Sequence, residues 1–86
     1  MKIIFDALKN IKKEMNKYIK GDVILTYQTD TVIAVISHNF CDDVTVTVPL
    51  PYDLLLKEIG QKRAAEYLYH QYRFILEKNF FTWYDT

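Results

Sequence analysis

The sequence predicts an α+β fold: a single two-layer domain of order α-β-β-β-α(α), with an antiparallel three-stranded meander packed on helices. Three observations predict it. Alternating apolar positions rich in β-branched residues mark three short strands between residues 22 and 49. A single register satisfies both hairpins that join them. Segments with helical spacing of apolar residues precede and follow the strands.

The first helix is expected over residues 2–20. Ile4, Leu8, Ile11, Met15 and Tyr18 recur at spacings of four and three, which keeps them on one stripe. Lys2, Lys9, Lys13, Lys17 and Lys20 fall on the other side, where a lysine face is ordinarily just solvated. Gly21 follows as a natural helix end.

Strands are expected over 22–28, 31–38 and 43–49. Val23, Leu25 and Tyr27 alternate with Thr26 and Gln28, and Val44, Val46 and Val48 with Thr45 and Thr47. The middle strand is almost continuously apolar, as a strand with two neighbours should be. A two-residue loop at Thr29-Asp30 sets Tyr27 against Val32, Leu25 against Ala34 and Val23 against Ile36. A loop of Asn39-Phe40-Cys41 then sets Val32 against Val48, Ala34 against Val46 and Ile36 against Val44. Thr-Asp is not a favoured hairpin dipeptide. The opposite face carries Ile24, Thr26, Ile33, Val35, Thr45 and Thr47, more apolar than a fully solvated face requires.

Pro49-Leu50-Pro51 stops the third strand. A short helix is expected over 52–59 on Leu54, Leu55, Leu56 and Ile59, a bend or break at Gly60, and a longer helix over 61–79, with one helix kinked at Gly60 as the alternative. The longer one has a broad apolar arc. Ala65, Leu68, Tyr72, Ile75 and Leu76 form its centre, and Tyr67, Phe74 and Tyr69 widen it, enough to touch the sheet, the first helix and something further. An aromatic tail, residues 80–86, ends the chain with Phe80, Phe81, Trp83 and Tyr84. Such a tail either folds back or serves an interface.

Length and composition fit one core: 86 residues, half of them apolar, with two glycines and two prolines. No apolar run approaches a membrane span, and with Asp6 and Lys9 so early no secretory h-region is expected at the start. One cysteine forms no internal disulfide, so a reducing, cytoplasmic setting is expected. Net charge is zero but uneven. Residues 1–20 hold six lysines against Asp6 and Glu14, whereas residues 21–53 hold five aspartates and no base.

Chemistry-bearing motifs are sparse. Two isolated glycines make neither a phosphate-binding loop nor a dinucleotide fingerprint, so no cofactor is expected. His38, Cys41 and Asp42 lack the fourth ligand of a structural zinc site, and no orienting group or oxyanion donor supports Cys41 as a nucleophile. A turn accounts for them. No carboxylate pair suggests acid–base work, so the expectation is a protein that is not an enzyme.

The element order is similar to that of double-stranded-RNA-binding domains. Those enter the minor groove with the first strand loop and carry a lysine cluster at the start of the last helix. Here that loop is the short, acidic Thr29-Asp30, and Lys57, Lys62 and Arg63 imitate the cluster only loosely. Size and topology also resemble some small phage-encoded anti-CRISPR inhibitors, which set acidic loops where a nuclease would hold DNA. Asp22, Asp30, Asp42, Asp43 and Asp53 would supply that acidic surface. The composition itself favours a protein-interaction module, binding a partner or a second copy of itself. Ile24, Ile33 and Val35, with Phe81, Trp83 and Tyr84, are the expected contacts; the acidic strand region argues against nucleic acid.

Overall fold

The computed structural model describes residues 2–19, 21–37 and 43–84, with side chains through Lys78. Helix α1 spans Lys2–Asn16, strands β1, β2 and β3 span Asp22–Gln28, Thr31–Ser37 and Val44–Pro49, and helices α2 and α3 span Tyr52–Leu55 and Glu58–Tyr84. The expected α+β meander is what forms, with strand order β1-β2-β3 and both pairings antiparallel.

All six cross-strand pairs expected from alternation are present, from Val23 opposite Ile36 to Val32 opposite Val48. Thr29 and Asp30 close the first hairpin at φ of 52° and 54°, the left-handed backbone of a type I′ turn. For the β-branched Thr29 that conformation is strained. The loop expected between β2 and β3 falls at residues 38–42, outside the described residues.

One face of the sheet meets α1 and α3, and the core lies between them. Val23, Val32, Ala34, Ile36, Val44, Val46 and Val48 face Ala7, Ile11 and Met15 from α1, Ile19 just beyond it, and Ala64, Ala65, Leu68 and Tyr72 from α3. The two helices run parallel. Asn10 Nδ2 donates to Gln61 Oε1 at 3.3 Å, and the Tyr18 ring stacks on Tyr69 at 5.2 Å, so the same offset of 51 residues links both contacts.

Four boundaries differ from the sequence expectation. First, α1 stops at Asn16 rather than residue 20. The chain tightens there, with Lys17 N–H donating to Glu14 O at 3.3 Å and Tyr18 N–H to Met15 O at 3.0 Å, i to i−3 bonds of a 3₁₀ turn. Ile19 thereby enters the core, and Tyr18 is left 63% exposed. Second, Gly21 is no left-handed helix cap. Its φ is not positive, and a Cβ there would lie 2.4 Å from Ser37 O, so glycine admits the close approach of β2. Third, the break between α2 and α3 falls at Leu56-Lys57, and Gly60 sits in the first turn of α3, against the Leu54 carbonyl. Of Leu54, Leu55, Leu56 and Ile59, only Leu55 is buried. Fourth, Phe80–Tyr84 continues α3 in place of a separate tail.

At about 1.5 Å per residue, α3 is about 40 Å long, whereas a seven-residue strand is about 23 Å. The molecule is accordingly elongated, 46 × 21 × 20 Å. The α3 core contacts are Ala64, Ala65, Leu68 and Tyr72, with Ile75 and Leu76 packed at the margin.

Candidate functional site

Ile24, Ile33 and Val35 share the sheet face turned away from the helices. Ile24 lies opposite Val35, and Ile33 is two residues along β2 on the same side. Ile24 is 60% exposed; Ile33 and Val35 are half-buried by their strand neighbours. Exposed Thr26, Thr45 and Thr47 surround them. Alternation forces this arrangement, because every residue that pairs across the strands on one face excludes its sequence neighbours to the other.

The two edges of the sheet are unlike. Gln28 and Thr31 flank a two-residue turn and form a hydrogen-bonded pair, so alternate pairs are bonded along β1 and β2. The N–H and C=O groups of Val23, Leu25 and Tyr27 therefore point outward from β1. By the same alternation Thr45, Thr47 and Pro49 point outward from β3. That edge is obstructed: Gln71 Nε2 donates to Thr47 O at 2.8 Å, and Pro49 has no N–H. Strand β1 has neither proline nor lysine, and its pairing with β2 is continuous from Asp22 to Gln28.

Beside the β1 edge runs a groove of about 640 Å³. Phe5 and Leu8 from α1 and Val23, Ile24 and Leu25 from β1 give it apolar walls, and Lys9, Lys12 and Lys13 rim it. Phe5 is 69% exposed. Among the described residues no acid lines the groove. The contrast is a second hollow of about 460 Å³ between α1 and α3. There Glu14 pairs with Lys17 at 3.2 Å and Glu58 with Lys62 at 3.5 Å, while Lys13 lines both hollows. Ile24 belongs both to the groove and to the open face, which makes the two continuous around the edge of β1.

Other expected positions spread out. Asp30 and Asp53 lie near Tyr27 at the turn end of the sheet, where both raise the Tyr27 pKa. Asp22 and Asp43 lie at the other end, one strand length or about 20 Å away. Asp42, with His38 and Cys41, is outside the described residues. Phe81, Trp83 and Tyr84 occupy the last turns of α3, and their side chains are likewise outside the description. The broad arc of α3 leaves Tyr67 53% and Phe74 66% exposed, an apolar stripe not used by the domain itself. Among the described residues no group of three His, Cys, Asp or Glu is placed to hold a metal, and no helix is long and apolar enough to cross a membrane.

Sequence reasoning missed three features of this region. The groove needs Phe5, which lies off the helical stripe and reads as an ordinary exposed residue. The obstruction of β3 by Gln71 needs a contact between residues 24 apart. Buried Gln61, which donates to Leu55 O at 2.9 Å and ties α2 to α3, has no signal in a run of Lys, Arg and Glu. The chain matches no family model, and comparison with curated proteins and with solved structures finds no match.

Proposed function

We propose that this chain is a small non-enzymatic protein-interaction module that works in the cytoplasm and docks a protein partner on the Ile24–Ile33–Val35 face and the adjoining edge of β1. One observation carries the reading: the strands that seal one face against α1 and α3 leave Ile24 60% exposed on the other, beside an edge that none of the described residues obstructs. Apolar surface of this kind, rimmed by polar threonines, is how interaction sites are built. Exposed Tyr67 and Phe74, and the aromatic residues Phe81, Trp83 and Tyr84 further along α3, supply a second group of anchors. One cysteine in the whole chain fits a reducing compartment. The acidic-mimic reading has less support, because Asp22 and Asp43 stand at the opposite end of the sheet from Asp30 and Asp53.

The test is a pull-down from host lysate with the wild type, Ile24→Asp, Ile33→Asp and Trp83→Ala, each first shown to be folded by circular dichroism. A partner retained by the wild type and lost by the folded Ile24→Asp variant is the expected result. Retention of every partner by all folded variants overturns the assignment.

A further inference from the structure

Resting on the protein-binding reading above, we infer that β1 accepts an extended acidic segment of a protein partner as a fourth, antiparallel strand, whose acidic side chains enter the groove rimmed by Lys9, Lys12 and Lys13. Three independent features converge on this site. The outward N–H and C=O groups of Val23 and Leu25 offer main-chain hydrogen bonds, and both residues line the groove. Strand β1 itself carries no proline, lysine or bulge that would block an added strand sterically. Three lysines rim the groove with no acid among its described lining residues, so the complementary charge is negative.

The geometry also fixes the pattern of the incoming strand. Val23, Leu25 and Tyr27 face the helices, so the partner residues bonded to them across an antiparallel pair face the helices too. Those residues meet Phe5, Leu8 and the lysine rim, which suits a long carboxylate side chain with an apolar stem. Their alternates extend the open face beside Ile24 and Val35 and suit valine or isoleucine. A second copy of this chain is the wrong occupant. Its β1 carries one acid, Asp22, and pairing two β1 edges would bring two lysine-bearing α1 helices side by side.

The test uses a fluorescein-labelled octapeptide alternating valine with glutamate, with binding to the whole chain read by fluorescence polarisation at low salt. Saturable binding is expected. The combined variant Lys9→Glu/Lys12→Glu/Lys13→Glu should weaken it by about tenfold or more, since three favourable charge contacts become repulsive. N-methylation of the glutamates should abolish binding, whereas N-methylation of the valines should leave it intact. Hydrogen exchange at the Val23 and Leu25 amides should slow in the complex. Equal binding of a valine–lysine octapeptide, indifference to which set is N-methylated, or no saturable binding at about 1 mM peptide overturns strand addition. So does a duplex RNA of about 20 base pairs that displaces the peptide, since the lysines would then belong to nucleic acid. If the peptide fails while a lysate partner is still lost by Ile24→Asp, strand addition falls and the interaction module stands.

Discussion

Replacing Gly60 by alanine tests the packing of α2 on α3 against simple helix propensity, because the two predict opposite signs. In an exposed helix, glycine to alanine stabilises by about 1 kcal/mol. Here an added Cβ would stand 2.0 Å from Leu54 O, 2.8 Å from Leu54 C and 3.3 Å from Leu54 Cα. All three are backbone atoms, so no rotamer change relieves the contact. The two segments would have to separate by more than about 1 Å, and α2 has little freedom to move. Leu55 is fully buried, Leu54 O accepts the Lys57 N–H at 3.1 Å, and Gln61 Nε2 grips Leu55 O at 2.9 Å. Overpacking of this kind costs about 1–3 kcal/mol, and each weakened hydrogen bond adds about 1 kcal/mol. After crediting propensity, Gly60→Ala should destabilise the fold by about 1–3 kcal/mol, which lowers Tm by roughly 5–20 °C in a chain of this size. Urea denaturation followed by circular dichroism measures it. A midpoint equal to or above that of the wild type would refute the packing argument and leave Gly60 as an ordinary helical glycine.

Two further outcomes follow from the first hairpin. Thr29→Gly should stabilise by about 1 kcal/mol, because glycine adopts the positive φ of 52° without the steric cost to threonine, and thermal melts check it. Tyr27 donates its hydroxyl to Leu50 O at 2.7 Å and lies 3.3 Å from the Asp30 carboxylate. Burial, and then the charge of Asp30, raise its pKa above the ordinary 10.0. An acid held more tightly protonated in the folded state stabilises below its unfolded pKa and loses that contribution as pH rises through the folded one. Stability should therefore be insensitive to this group at neutral pH and decline above about pH 10. Tyr27→Phe should remove that alkaline component, at a cost of about 1 kcal/mol at pH 7 for the lost bond. An unchanged alkaline limb in urea melts would show that Tyr27 does not titrate as described.

The sheet was legible because period-2 patterning admits few registers. Moving Val44, Val46 and Val48 by one residue would turn all three to solvent, so alternation alone determines their partners. Helix ends were less legible, since they depend on contacts between distant residues. Gly21 and Gly60 read as helix stops in one dimension. In three, each is a place where another backbone, at Ser37 or Leu54, comes too close for a Cβ. The buried stripe of α1 likewise runs through Ala7, Ile11 and Met15, and Ile19 beyond its end continues it. The sequence expectation included Ile11 and Met15, and Ile4 and Leu8, which pack half-buried against the core; it put Tyr18 in place of Ile19 and missed Ala7, because alanine carries too little hydrophobic signal to mark a stripe. Of the proposed interaction surface, the Ile24–Ile33–Val35 face follows from alternation. The groove does not, because it depends on how far α1 stands from β1.

The unequal edges of the sheet bear on how this domain avoids self-association. An open three-stranded sheet has two exposed ladders, and each is a template for another copy. On β3, Pro49 removes a donor and Gln71 occupies the Thr47 carbonyl, so pairing there would first have to break a 2.8 Å hydrogen bond. On β1 the backbone is left open, and the protection is electrostatic: Lys9, Lys12 and Lys13 stand over the edge and repel the same residues of another copy. A steric block excludes every strand alike. A charge block excludes identical strands while admitting acidic ones, and salt weakens it, with a screening length of about 8 Å at physiological ionic strength. Under the strand-addition proposal the same three lysines would both deter self-pairing of the edge and select an acidic partner. Raising salt should then weaken acidic-peptide binding and promote β1-mediated self-association together, two effects that no purely apolar interface would couple in opposite directions.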